Sequence, residues 1–186
     1  NGAEARLYSA HDPEALRGLS RCLVAVKSRH THDAAEALSD LLAPDALVCS
    51  LQNGLHNART LADGGLRDPV AGMVAFNVFR DGARFVQATS GPITLDDRAA
   101  AHREALTDLA SAWRAAGQEV ELRGDIEAVQ AGKLLLNLNN GICALAGVSV
   151  AESLRSRALR RSFAACVREG MHIYRAAGVS TVRVGK

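Results

Sequence analysis

Apolar residues fall in short unbroken runs over the first two thirds of the chain and at helical spacing over the last third. Residues 22–26 (CLVAV) form a continuous apolar run of strand length. Ala34, Ala37, Leu38, Leu41 and Leu42 then repeat at the spacing of one helix face, which predicts a helix over 33–42 closed by Pro44. Residues 47–50 read as a second strand running into the turn-like Gln52-Asn53-Gly54. A helix over 57–62 and a third strand over 70–76 follow. This alternation is the rhythm of a parallel α/β sheet, and runs apolar on both faces suit a sheet covered by helices on both sides.

Residues 85–88 and 92–95 are short strand candidates separated by Thr89-Ser90-Gly91, suited to a hairpin or an edge addition. A helix over 98–116 ends at Gly117, and 119–122 reads as a last strand. From Asp125, placed as a helix cap, the texture becomes helical. One helix runs to about 138 or beyond, another starts near 151, and an amphipathic pattern over 159–177 stops at Gly178. No strand is expected between 125 and 178, and no internal repeat or low-complexity linker is visible.

Composition narrows the class. With 186 residues, 48% hydrophobic and 23% charged, the chain is neither disordered nor fibrous. Its apolar runs are too short to span a membrane. The net charge of +2 comes from scattered basic residues, only three of them lysines (Lys27, Lys133 and Lys186), and aromatics are 4%. That pattern argues against nucleic-acid binding. Cys22, Cys49, Cys143 and Cys166 have no CxxC spacing and apolar neighbours, which predicts free buried thiols in a reducing compartment. His30 and His32 lack a third ligand, so no metal site is expected. Position 1 is Asn rather than Met, so the chain is expected to begin inside a longer one.

Ligands of open parallel sheets bind beyond the carboxyl ends of the strands. Lys27 follows the first strand, and Asn53 follows the second beside Gly54, whose backbone a ligand can approach closely. On the residues alone, a solvated lysine and an ordinary Asn-Gly turn remain open as alternatives. The segment KLLLNLNN is more informative. At about 100° per residue, Lys133, Asn137 and Asn140 share one helix face among leucines. Asparagine is a poor interior helix former, and an exposed face ordinarily carries Glu, Lys and Arg. A lysine beside amides suits a small anionic, oxygenated substrate: the ammonium gives a proton to an oxygen gaining charge, and the amides orient hydroxyl or carboxylate groups.

Val26-Lys27-Ser28, the SLQNG of 50–54, the GMVAFN of 72–77 and the KLLLNLNNGICAL of 133–145 occur in the order and spacing of the ketopantoate reductases (2-dehydropantoate 2-reductases). The chain resembles this family over nearly its whole length. The resemblance implies an α/β fold: an incomplete Rossmann-like parallel-sheet domain over 1–124, then an all-helical domain over 125–186 like the C-terminal domain of 6-phosphogluconate dehydrogenase. It implies NADPH-dependent reduction of a 2-keto acid, ketopantoate to pantoate, on the cytoplasmic route to pantothenate and coenzyme A. Lys133 would be the general acid, Asn53 a contact to both cofactor and substrate, Lys27 a cofactor contact, and Asn137 and Asn140 substrate contacts. A homodimer through the helical part is expected. The family's opening G-x-G-x-x-G and its later serine and glutamate have no counterpart here, so the chain is expected to be a fragment. Cys143 stands where many relatives carry Asn or Thr, which bears on substrate fit. Two other readings stay open: a related reductase of a different 2-keto or 3-hydroxy acid, and a catalytically silent binding or dimerisation protein.

Overall fold

The structure, a computed structural model, describes residues 11–184; the outermost residues of both expected divisions lie outside it. Among the described residues seven strands and six α-helices follow one another as β1 (Arg21–Val24), α1 (Thr31–Leu41), β2 (Leu47–Ser50), α2 (Asn57–Asp63), β3 (Val70–Val74), β4 (Val78–Asp81), β5 (Arg84–Gln87), β6 (Ile93–Asp96), α3 (Arg103–Ala115), β7 (Val120–Arg123), α4 (Ile126–Ala146), α5 (Val150–Arg155) and α6 (Arg157–Ala176). The main sheet has the order β1-β2-β3-β6-β7. β1, β2 and β3 are mutually parallel, β6 runs antiparallel to β3, and β7 runs parallel to β6. The expected parallel rhythm therefore holds through β3 and reverses at the β3–β6 joint.

The sheet is covered on both faces. Val24 and Val48 pack with Ala35, Leu38 and Leu61 of α1 and α2. On the opposite face Leu47, Cys49, Val70 and Leu95 pack with Leu106 and Ala110 of α3. At edge strand β1 only one face is enclosed: Val24 is 3% exposed and Leu23 is 48% exposed. The two strand candidates at 85–88 and 92–95 do not pair with each other. β5 pairs with β4, a strand the apolar pattern did not reveal, while β6 enters the main sheet. Every residue of the β4–β5 hairpin is exposed, so burial leaves no alternating signature in its sequence.

The loop after β2 is held by a buried polar network. The Gln52 amide donates to the Val26 carbonyl (2.8 Å) and to Thr31 Oγ1 (2.7 Å), and its Oε1 accepts from Ser50 Oγ (3.0 Å). Thr31 donates onward to Asn57 Oδ1 (3.1 Å). Asn57 Nδ2 (2.8 Å) and Ser28 Oγ (3.1 Å) both donate to the Asn53 carbonyl. Gly54 follows at φ +109°, a left-handed conformation that favours glycine. The loop's shape is thus tied to the ends of β1 and β2 and the starts of α1 and α2.

Helix α4 joins the sheet to the remaining helices. Ile126 and Val129 pack on Met73, and Gln130 Nε2 donates to the Gly72 carbonyl (3.0 Å). Asp125 precedes the helix but does not cap it with its side chain, because its carboxylate is engaged by Arg123 at 2.7 Å through two guanidinium nitrogens. Farther along, a Cβ at Gly170 of α6 would lie 2.6 Å from Leu135 Cδ2, so the α4–α6 approach needs a residue without a side chain. Asn139 Nδ2 donates to Ser153 Oγ of α5 (3.1 Å). α6 ends as expected, with Gly178 at φ +69° and Val179 N–H donating to the Tyr174 carbonyl. The chain then returns over α4, where Val182 N–H donates to the Ala128 carbonyl (3.1 Å).

Two stability predictions follow from these contacts. Gln52→Leu strands the Ser50 and Thr31 hydroxyls and the Val26 carbonyl, and should cost about 2–4 kcal/mol in urea unfolding. Asn53→Ala, at an exposed side chain, should stay within about 0.5 kcal/mol of wild type; equal losses would show that the network does not hold the loop. Gly132→Ala drives a methyl into the Val182 carbonyl. It should cost about 1–3 kcal/mol, roughly 2–4 °C of Tm per kcal/mol at this chain length. An unchanged Tm would mean that the 182–184 segment does not rest on α4.

Candidate active site

Beyond the carboxyl ends of β2 and β3 lies a cleft of about 340 Å³. One wall is the loop and strand ends, with Leu51, Asn53, Val74, Phe76, Asn77 and Val78; the other is α4, with Lys133, Asn137 and Asn140. The helical arithmetic for the α4 triplet therefore corresponds to a shared surface, about 10 Å long at 1.5 Å per residue. Asn53, far away in sequence, faces the same space. Lys27 does not line it: the residue is exposed in the loop between β1 and α1.

The neighbouring Asn139 shows the same geometry from the other side. It is buried and bonded to Ser153, while Asn140, one residue on, is exposed at the cleft. Adjacent asparagines thus divide into a helix-packing residue and a cleft residue, because one step rotates the side chain by about 100°.

Lys133 is half-buried, and burial alone holds its pKa below the ordinary lysine value. No carboxylate pairs with it among the described residues. The side-chain amides of Asn53, Asn77, Asn137 and Asn140 likewise make no hydrogen bond within the described chain. A partly desolvated cation ringed by unengaged amides favours an anionic, hydrogen-bonding ligand: the amides offer donors and acceptors, and the ammonium offers charge and a proton.

Asn77 carried no role in the sequence reading. The signal available was its place at the end of the GMVAFN block, directly after a strand, where open sheets put ligand contacts. Gln52, which holds the loop, stood in the turn and in the SLQNG block with no role of its own. Its burial depends on contacts with residues far off in sequence, so the local pattern does not display it.

Other chemistry-bearing groups lie elsewhere. A slightly larger cavity of about 370 Å³ sits under the C-terminal segment, lined by Met73, Thr94, Glu121, Arg123 and Val182 among others. None of the sequence-predicted residues borders it, and its Arg123 is already engaged by Asp125 and Glu121. All four cysteines are free, and burial pushes the Cys49 thiol up to about 12, which leaves it unreactive. His30 Nε2 accepts from Arg29, and His32 lies beside Glu36. Among the described residues no group of three His, Cys, Asp or Glu side chains is placed to hold a metal, and no helix is long and apolar enough to cross a membrane.

Comparison with known proteins agrees along most of the chain. The family model described as ketopantoate reductase PanE/ApbA matches residues 4–100, and that of the family's C-terminal region matches residues 125–185. A 2-dehydropantoate 2-reductase of Halobacterium salinarum is 30% identical over 174 residues, covering 92% of this chain and 57% of the relative. The crystal structure of a PanE/ApbA family ketopantoate reductase from Ralstonia eutropha superposes with a TM-score of 0.77 at 28% identity, covering 92% of this chain and 56% of that one. The fold is shared with a 2-dehydropantoate 2-reductase from Geobacter metallireducens, with a TM-score of 0.75 at 24% identity over 86% of this chain and 54% of the other. The chain spans a little over half the length of these relatives. With both family models matched in order along it, the chain belongs to the ketopantoate reductase family.

Proposed function

We propose that the protein reduces a 2-keto acid with NADPH, ketopantoate to pantoate being the best-supported case, and that Lys133 is the general acid. The observation that carries the reading is the half-buried Lys133, unpaired among the described residues, in a cleft with Asn53, Asn137 and Asn140. Family membership and the curated relative's activity as a 2-dehydropantoate 2-reductase support the same reaction. Residues 1–124 and 125–186 are proposed as its nucleotide-binding and substrate-binding parts.

Bound NADPH would supply the hydride that reduces the keto carbon. The chain's own task is to polarise and protonate the carbonyl oxygen. The Lys133 ammonium lies in the partly desolvated cleft, where it attracts the substrate's negative charge and gives its proton to the oxygen as charge develops there. The product is the 2-hydroxy acid, with one hydrogen from the cofactor and one from Lys133. Asn137 and Asn140, along the same helix face, would orient the carboxylate and hydroxyl groups. Asn53 would contact both substrate and cofactor.

The ends of β1 and β2 suit part of the cofactor. Lys27 and Ser28 follow β1, Asn53 and Gly54 follow β2, and Ser28 Oγ ties the two loops through the Asn53 carbonyl. A Cβ at Gly54 would come within 3.4 Å of Asn57 Nδ2, so its absence leaves the backbone approachable. Lys27 would meet a phosphate of the cofactor. Self-association through the helical part belongs to the same proposal, supported by the exposed Leu136, Leu145, Val150, Leu154, Met171 and Ile173.

Purified protein supplied with NADPH and ketopantoate should consume both and form pantoate; no turnover and no binding of either would overturn the reading. Lys133→Ala should lower turnover at least about 100-fold, with no loss of Tm, since the change removes a cation that burial disfavours. Because the acid must be protonated, wild-type reduction should fall as pH rises through the Lys133 pKa, at a midpoint below the ordinary lysine value of 10.5. Residual Lys133→Ala activity should lack that limb. Near-normal turnover in the variant would remove Lys133 from the role. Sedimentation velocity should show a dimer, and a monomer at micromolar concentrations would remove the self-association.

A further inference from the structure

Among the described residues Asn77 is the one amide in the cleft that neither the helix α4 face nor the Gln-Asn-Gly loop supplies. It stands where β3 has ended and the β4–β5 hairpin begins. Its backbone is held at both ends: the N–H donates to Thr89 Oγ1 (2.9 Å), and the carbonyl accepts from Ala88 N–H (2.8 Å). Its side chain, by contrast, makes no hydrogen bond within the described chain, and the residue borders the cleft opposite α4. Asn77 is exposed, and with its backbone pinned only the side-chain torsions remain to be ordered on binding.

Charge decides what such a contact would take. Among the described residues Lys133 is the only cationic one lining the cleft, and it lies on the α4 wall. A carboxylate and a developing alkoxide are drawn to that wall. On the opposite wall the neighbours of Asn77 are Val74, Phe76 and Val78, beside Leu51, which suit the carbon skeleton of a substrate. An amide set among apolar side chains on the wall across from the cation fits a neutral hydrogen-bonding substituent, because it can donate to or accept from a hydroxyl without a charge to balance.

We propose that Asn77 is a specificity-determining residue that binds a hydroxyl group on the carbon chain of the 2-keto acid, so that the site discriminates hydroxylated from plain aliphatic acids. The proposal rests on the reading of the cleft as a 2-keto-acid site. A hydroxyl that loses such a partner loses about 1 kcal/mol, equivalent to a change of roughly five- to tenfold in affinity.

The test is calorimetric titration of the wild-type chain and of Asn77→Ala with ketopantoate and with trimethylpyruvate, the same acid without its hydroxyl, in the presence of NADP+, which cannot deliver hydride. Wild type should prefer ketopantoate by about five- to tenfold. Asn77→Ala should bind the two acids equally, keep its affinity for trimethylpyruvate and keep its Tm, and Asn77→Ser should recover part of the preference. A preference that survives in Asn77→Ala, or a wild type without one, overturns the role of Asn77 and leaves the 2-keto-acid site standing. A wild type that binds neither acid overturns both. A fall in affinity for both acids together with a lower Tm would make Asn77 a structural residue and also overturn the proposal.

Discussion

Helix α4 meets the sheet at one end and the other helices at the other, and the position of everything in the cleft depends on that double attachment. Its first turns are bound to β3 by Ile126, Val129 and the Gln130 bond to the Gly72 carbonyl. Its later turns are bound by Leu135 against Gly170 and by Asn139 to Ser153. A helix transmits position along its axis because each turn is hydrogen-bonded to the last. Lys133 falls between the two sets of contacts, half-buried and with no carboxylate paired to its charge among the described residues. The same placement explains why burial is the cause of its lowered pKa.

The opposite wall obeys a different economy. Polar groups withdrawn from water must find partners, and around the Gln-Asn-Gly loop they do so almost completely. Gln52, Thr31, Ser50 and Asn57 satisfy one another and, through the Asn53 carbonyl, set the loop. At the cleft, the side chains of Asn53 and Asn77 here and of Lys133, Asn137 and Asn140 on α4 make no hydrogen bond within the described chain. Asparagine thus serves two ends in this chain. Buried, as at positions 57 and 139, it ties elements together; at the cleft its amide stays unengaged and open to a ligand.

Much of the architecture was legible because it is local. Buried strands and amphipathic helices leave periodic apolar patterns, and most elements lie within a few residues of where those patterns put them. The misplacements have physical reasons. The hairpin β4–β5 is exposed throughout, so burial wrote no pattern into it. Strand β6 suited a hairpin with the segment before it or an edge addition, yet it stands between β3 and β7, a choice made by the sheet as a whole. Asp125 had the composition of a cap and is held instead by the arginine two residues before it.

The sequence by itself determined the face of α4 on which Lys133, Asn137 and Asn140 stand, since their separation on a helix follows from its pitch alone. It also carried the order of motifs that marks the family. Only the tertiary structure decided that Asn53 and Asn77 stand across from that face, that Lys27 does not border the cleft, and that Lys133 is half-buried with no counter-charge among the described residues. The reason is that a helical repeat relates residues a few positions apart. The width of a cleft and the solvation of a charge are set by contacts between segments distant in the chain, and no local spacing encodes them.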